Sequence, residues 1–233
     1  MSMHKYLKNL KKGEYVDSVY LVKNQSKEII KASNGNKYIV FKISDASLEN
    51  LENASLLLFF DSLDDVKFLN SENNKYKFYL KINGKCVSEY PNIKITSNRV
   101  VPANEKTGIV FDTSNLYPYN EYFKNELLSY LGKQNVPLRH TSSKAFQNDF
   151  DLIDIGTNLK YERVKNSIHD KYQINVFIDY IDDVFNIPAY LTPTMGKMID
   201  DGYKFQITVS NILPSDEEKG IKAGIRVNIK ARI

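Results

Sequence analysis

Two tracts in which basic and apolar residues alternate most constrain how this chain folds. They are residues 75–82 (KYKFYLKI) and residues 221–233 (IKAGIRVNIKARI), and neither contains an acidic residue. Because successive side chains of a β-strand point to opposite faces, each tract predicts a strand with one apolar and one positively charged face. A face with charge of one sign is typical of nucleic-acid binding. Lysine on an edge strand also prevents aggregation, so both interpretations stay open.

The first 105 residues contain a series of strand patterns. They predict five strands, at residues 15–23, 37–44, 55–60, 75–86 and 92–101, and a short helix that begins after Asp61. Five strands with one helix between the third and the fourth is the order of an OB fold. We therefore predict that residues 1–105 form a five-stranded OB-like barrel that binds nucleic acid.

Short motifs in the same region resemble a known family. They are GEYVD at residues 13–17, YLVK at 20–23, NKYIVFKISDA at 36–46, INGKCVSEY at 82–90 and IKI at 93–95. With these motifs, residues 13–105 resemble the N-terminal domain of bacterial OB-plus-HD 3′-to-5′ exoribonucleases. The resemblance implies an OB fold and nucleic-acid binding. The chain departs from the family in having no tryptophan in the third strand and no counterpart of the nuclease half.

The remaining residues predict a connector and a second domain. Residues 106–150 are interpreted as a helix that begins at Pro118 and ends at Gly132, followed by a loop. Residues 151–233 are interpreted as a small α+β, barrel-like domain with strands at 159–164, 173–181, 203–213 and 220–233. Its helix has Thr192 as N-cap, Pro193 at the first position and Gly202 as the stop signal. The predicted class is therefore mainly β with α+β elements.

Part of the second domain resembles another family. The segments IPAYLTP at residues 187–193 and DGYKF at residues 201–205 are similar to the last part of HIRAN domains. HIRAN domains are small barrels that bind single-stranded 3′ ends in helicase-like proteins. The resemblance covers residues 187–212 and implies a second barrel-like unit.

Positive charge is concentrated in the N-terminal half. Residues 1–110 hold 17 Lys or Arg against 12 Asp or Glu, whereas residues 111–233 hold 15 against 16. On a sheet face, tyrosine rings stack with bases and lysines contact phosphates. The predicted nucleic-acid-binding residues are Tyr38, Lys42, Lys75, Lys77, Tyr79, Lys81 and Lys94. The tract at residues 221–233 lies in the slightly acidic half, and we interpret its charges as protection of an edge strand.

The sequence gives little support to catalysis. His169-Asp170 is an HD dipeptide, but no histidine follows it to complete a metal centre, so we interpret it as a surface turn. Cys86 alternates with Ile82 on the inward side of its strand and is expected to be buried. The sequence contains no glycine-rich loop that would bind phosphate. We predict no catalytic residue, no metal and no cofactor.

These features predict a non-enzymatic protein that binds single-stranded DNA or RNA. An accessory role in replication, repair or RNA turnover, encoded by a phage or mobile element, fits this activity. The alternative is a protein-interaction module that docks a host replication or defence enzyme, and a nuclease with an unrecognised metal site is the third hypothesis. The sequence has no apolar run of a length that spans a membrane, and the expected location is the cytoplasm.

Overall fold

The computed structural model describes residues 3–23, 29–48, 54–61, 78–103, 107–129, 134–141, 144–168, 170–214 and 223–232. The chain divides into two units, Met1–Pro118 and Tyr119–Ile233. Each unit contains a six-stranded sheet. The prediction of a mainly β chain is confirmed.

The sheet of the first unit closes on itself. Its strands are β1 (Tyr15–Lys23), β2 (Ile30–Lys31), β3 (Lys37–Ser44), β4 (Ala54–Phe60), β5 (Phe78–Ser88) and β6 (Ile93–Pro102). They lie in the order β1-β5-β6-β4-β3-β2, and β1 also pairs with β3. β4 and β6 run parallel, whereas the other neighbouring strands are antiparallel. The long strands β1, β5, β6, β4 and β3 therefore form a ring of pairings around one core.

Alternation of side chains fills this ring. The inward residues of the five strands are apolar and buried, and they include Tyr20, Phe41, Leu56, Ile82 and Ile95. Cys86 also lies in this core with no exposed surface, which confirms the predicted burial. β5 and β6 approach closely at Gly84, where an added Cβ atom would lie 2.4 Å from the backbone oxygen of Thr96. Only glycine fits at this position without a shift of the neighbouring strand.

A buried carboxylate attaches the N-terminal segment to this unit. Asp45 follows β3 and is completely buried. Its Oδ2 accepts a hydrogen bond of 2.6 Å from the backbone N–H of Leu7, and its Oδ1 accepts from the N–H and hydroxyl of Ser47 at 2.9 and 2.6 Å. The ring of His4 lies 3.4 Å from Oδ2. Because a buried charge is stable only when it is hydrogen-bonded, Asp45 fixes the segment that places Leu7 in the core.

In its described residues, the second unit combines three α-helices with a sheet whose first and last strands do not pair with each other. Its elements are α1 (Glu121–Leu128), β7 (Val136–Pro137), α2 (Lys144–Asp149), β8 (Asn158–Arg163), β9 (Ile174–Ile178), β10 (Ile181–Asn186), α3 (Thr192–Asp200), β11 (Lys204–Leu213) and β12 (Gly224–Arg232). The sheet order is β10-β9-β8-β11-β12-β7, with antiparallel neighbours. The inward residues of β9, β11 and β12 form one core with α3.

The start of α3 is fixed by a second buried aspartate. Thr192 is the first residue of the helix, not the N-cap, and its hydroxyl donates a 2.7 Å hydrogen bond to Oδ2 of Asp170. The backbone N–H of Tyr172 donates to Oδ1 of Asp170 at 2.8 Å. The interpretation of Asp170 as part of a surface turn is therefore wrong, because its carboxylate is buried. The predicted end of the helix is confirmed, since Gly202 follows it with a φ of 96°.

Two other details differ from the predictions. The helix expected from Pro118 begins at Glu121, because the side chain of Asn120 accepts a hydrogen bond from the N–H of Phe123 and caps it. The strand expected at residues 173–181 is β9, which ends at Ile178, and a turn at residues 179–180 leads into β10, a strand that was not predicted. The predicted connector, residues 106–150, is shared between the units, with residues up to 118 in the first. The helix expected after Asp61 lies outside the described residues.

Candidate nucleic-acid interface

The outward side of β3, β4 and β6 brings aromatic, aliphatic and basic side chains together. We call this surface the Tyr38–Phe59 face. Cross-strand pairs join Tyr38 to Phe59, Val40 to Leu57, and Lys42 to Ser55. On the other side of β4, Ser55 pairs with Lys94, and Leu57 pairs with Thr96. The face therefore consists of Tyr38, Val40, Lys42, Ser55, Leu57, Phe59, Lys94 and Thr96.

Two aromatic rings form one end of this face. The ring centroids of Tyr38 and Phe59 are 5.2 Å apart, and the ring planes meet at 37°. Both side chains are half-buried, as are Val40 and Leu57 beside them. Rings that lean against each other on a sheet lose little freedom when another flat group stacks on them. This end of the face offers a preformed stacking surface.

Basic residues form the other end. Lys42 and Lys94 flank Ser55 on either side, so their backbones lie about 10 Å apart, two strand spacings. Tyr38 and Lys42 are four residues apart on β3, which places them about 13 Å from each other along the strand. No carboxylate occupies any of these described positions. The arrangement places two positive charges within a few nucleotides' length of the rings.

Tyr79 and Lys81 lie on a different side of the unit. They belong to β5 and pair with Leu21 and Val19 of β1. The ring of Tyr79 packs 4.9 Å from Phe111, and its hydroxyl lies 3.1 Å from that of Tyr117. Lys81 is 3.3 Å from Oδ1 of Asp17. The face around Tyr79 is thus covered by the segment that follows β6, and the role of both residues in binding stays a prediction.

The structure therefore groups only part of the predicted set. Tyr38, Lys42 and Lys94 share one face, whereas Lys75 and Lys77 lie outside the described residues. Phe59 is a residue that the sequence reasoning missed. Its segment ASLLLFF is almost entirely apolar, so alternation does not reveal which side of the strand each residue occupies. The one available signal was the preference of the resembled family for an aromatic residue in this strand.

Two side chains with reactive groups, Cys86 and Tyr20, are buried in the core of the first unit. Burial raises the pKa of the Cys86 thiol, so the reactive thiolate is disfavoured at neutral pH. Burial also raises the pKa of Tyr20, whose hydroxyl donates to the backbone oxygen of Lys5 at 2.6 Å. In the part of the chain that the structure describes, no three His, Cys, Asp or Glu side chains are grouped so as to hold a metal ion.

Searches among known proteins give no relative for this chain. No family model matches it, and neither a curated protein nor a solved structure does. Within the described ranges, no helix has both the length and the apolar character needed to cross a membrane. The candidate interface is thus defined by its own geometry.

Proposed function

We propose that this chain is a non-enzymatic protein that binds single-stranded DNA or RNA through the Tyr38–Phe59 face. In this proposal the first unit is an OB-type barrel. The bases stack on Tyr38 and Phe59, and the phosphates lie along Lys42 and Lys94. An accessory role in replication, repair or RNA turnover follows from binding without sequence preference.

The order of strand pairing supports the OB-type barrel. The three strands β1, β3 and β4 follow one another as antiparallel neighbours. β4 then pairs in parallel with β6, β6 pairs with β5, and β5 returns to β1. A five-stranded Greek-key barrel has this closed order, and OB folds bind oligonucleotides mainly on the face of their second and third strands. Those two strands correspond to β3 and β4.

The observation that carries the proposal is the position of the ring pair. Tyr38 and Phe59 are direct cross-strand partners on β3 and β4. Single-strand binding proteins combine such aromatic platforms with nearby positive charges, and each stacked base contributes about 1–3 kcal/mol. Lys42 and Lys94 supply the charges on the same face. Rings and charges together distinguish this face from a merely solvated one.

Fluorescence anisotropy with a labelled single-stranded oligonucleotide at low salt tests the proposal. Tyr38→Ala and Phe59→Ala are each expected to weaken binding by about 1–3 kcal/mol, roughly 5- to 150-fold. Tyr38→Phe keeps the ring and is expected to bind as the native chain does. Tyr122→Ala removes a tyrosine that is 76% exposed on α1 of the second unit, and it serves as the matched control. Native affinity in both ring-deleting variants would contradict the proposal.

The aliphatic part of the face favours a second candidate function, docking of a protein partner. Val40 and Leu57 are direct cross-strand partners between the rings and the lysines, and protein interfaces bury such apolar patches at their centres. A purified partner that binds the native chain but not Leu57→Asp, in the absence of oligonucleotide binding, would favour docking. The two functions also differ in salt dependence, because stacking with phosphate contacts weakens steeply as salt rises.

A further inference from the structure

The second unit carries a basic face of its own. It is formed by the outward residues of β11 and β12, and we call it the β11–β12 face. Its members are Lys204, Gln206, Thr208 and Asn211 on β11, with Ser210 in the bulge before Asn211, and Arg226, Asn228, Lys230 and Arg232 on β12. None of these described positions holds an acidic or an aromatic side chain. Every side chain that is not positively charged is a neutral amide or hydroxyl.

Edge protection accounts for only some of these charges. β11 lies between β8 and β12, so Lys204 is on an inner strand of the sheet. β12 is followed by β7, and Arg226 is a direct partner of Pro137 on that strand. Charges that protect an edge belong on the last strand, where unpaired backbone groups are exposed. Edge protection therefore fits Lys230 and Arg232, which lie beyond the two-residue β7, but it explains neither Arg226 nor Lys204, which lies outside the tract at residues 221–233.

The face also contains a pair of like charges. Lys204 and Arg232 are direct cross-strand partners, and like charges in this position are destabilising. Without a bound ligand, this repulsion lowers the stability of the second unit. An anion bound over the two side chains removes the repulsion, so the pair is suited to a negatively charged ligand.

Neutral partners hold two of the guanidinium groups. Nη1 of Arg226 donates a 3.1 Å hydrogen bond to the backbone oxygen of Asn135, and Nη2 of Arg232 donates to Oε1 of Gln206. Asn135 is held in turn by Asn228 and Ser210. Because these partners are uncharged oxygens, they orient both arginines without neutralising them. Guanidinium groups that are oriented by neutral oxygens are suited to phosphate recognition.

We propose that the β11–β12 face is a second nucleic-acid contact surface that binds the phosphate backbone and does not read bases. This inference rests on the proposed function of the chain, and it assigns the tract at residues 221–233 to the same ligand. The row from Arg226 to Arg232 is about 20 Å long, from the rise of an extended strand. A row of this length spans several consecutive phosphates of a bound single strand.

The test measures how the affinity of the full chain for a labelled oligonucleotide of about 20 nucleotides, longer than one OB fold occupies, depends on salt. The variant R226Q/K230Q/R232Q removes three positive charges from the face. For single strands each lost phosphate contact reduces the slope of log K against log salt by about 0.7, so the slope is expected to fall by about 2. The control K165Q/K171Q/K197Q removes three exposed charges of the same unit away from the face and is expected to keep the native slope.

A milder variant keeps the test valid if the triple variant does not fold. K204Q/K230Q leaves both oriented arginines in place, and its slope is expected to fall by about 1.4. If these variants keep the native slope while Tyr38→Ala weakens binding, the second surface is overturned and the proposed function stands. If the native chain does not bind the oligonucleotide at low salt, both are overturned. A reduced slope with the control unchanged supports the second surface.

Discussion

Both units enclose an aspartate that holds neighbouring segments by hydrogen bonds, and the aspartate of the first unit is the more completely buried. In the first unit, completely buried Asp45 accepts hydrogen bonds from Leu7 and Ser47, and Tyr20 and Cys86 are buried beside the same core. In the second unit, Asp170 retains slight exposure and receives hydrogen bonds from Thr192 and Tyr172. The comparison shows that donors bonded to Asp45 have no access to water, whereas the site of Asp170 keeps a small opening to solvent, so the loss of the carboxylate should cost more in the first unit.

The two aspartates give the largest expected difference. We expect Asp45→Ala to destabilise the first unit by about 3 kcal/mol, because three donors lose a charged acceptor inside the core. We expect Asp170→Ala to destabilise the second unit by about 2 kcal/mol, since water reaches this site more readily. Hydrogen–deuterium exchange resolved by peptide measures the opening free energy of each unit separately.

Conservative variants of both aspartates serve as controls. Asp45→Asn and Asp170→Asn keep the shape and one acceptor oxygen but lose the charge, so their effects should fall between those of the native chain and the alanine variants. An equal fall in opening free energy for Asp45→Ala and Asp170→Ala would contradict the expected difference between the two units.

Two glycines give the next largest difference. A Cβ atom at Gly84 would lie 2.4 Å from a backbone oxygen, and one at Gly196 would lie 2.7 Å from the side chain of Tyr172. Overpacking of this kind costs about 1–3 kcal/mol. We expect about 2 kcal/mol for Gly84→Ala, because a strand must move. We expect about 1.5 kcal/mol for Gly196→Ala, because the Cβ of Tyr172 cannot rotate away and the gain of helix propensity in α3 offsets only part of the clash.

Urea denaturation of the two glycine variants measures this effect. The free energy of unfolding should fall more for Gly84→Ala than for Gly196→Ala. A larger loss for Gly196→Ala would show that the ring of Tyr172 is held more rigidly than the β5–β6 pairing.

Alkaline pH gives the smallest expected difference. Burial raises the pKa values of Cys86 and Tyr20 above those of the unfolded chain, about 8.5 and 10. The protonated thiol and phenol contribute their full stability below the unfolded pKa values. This stability is lost as pH rises from there through the higher pKa values of the folded unit. We expect the first unit to lose stability as pH rises above about 8.5, the unfolded pKa of cysteine, through Cys86 alone.

The second unit should respond less over the same range. Tyr190 is 42% exposed, and although partial burial raises its pKa, the nearby Arg139 and Arg226 oppose the rise. Unit-specific hydrogen exchange at several pH values checks this expectation, and Cys86→Ala is expected to flatten the decline in the first unit. A decline of the same steepness in Cys86→Ala would assign the pH dependence to another group.

Much of the first unit was predictable because its strands alternate. The patterns at residues 37–44 and 82–86 gave the correct inward sides for Ile39, Ile82 and Cys86. β4 carries apolar residues on both sides, so the outward position of Phe59 depends on which strands lie beside it. Pairings between distant residues are not visible in a local pattern, and the stacking end of the candidate site was therefore only half predicted.

The contacts that cover Tyr79 could not be predicted either, because they also join residues that are distant in the sequence. Its place on the outward side of β5 followed from alternation, but its contacts with Phe111 and Tyr117 come from a segment about thirty residues later. Val19, Ala103 and Leu116 form a small separate core there. Half of the β11–β12 face was predictable, because the alternation at residues 221–233 shows which residues of β12 point outward. The position of Lys204 opposite Arg232 is known only from the strand register.

The position of β6 has a consequence for synthesis of the chain. β6 is the last strand of the ring to leave the ribosome, and it is also the strand that lies between β4 and β5. Before it is made, one edge of β4 has no partner, and the sequence of β4, ASLLLFF, is apolar and uncharged. Exposed apolar segments of this kind pair with the same segment of another chain, which leads to aggregation. Pairing with residues 93–102 therefore covers an apolar strand edge that was completed more than thirty residues earlier in the chain.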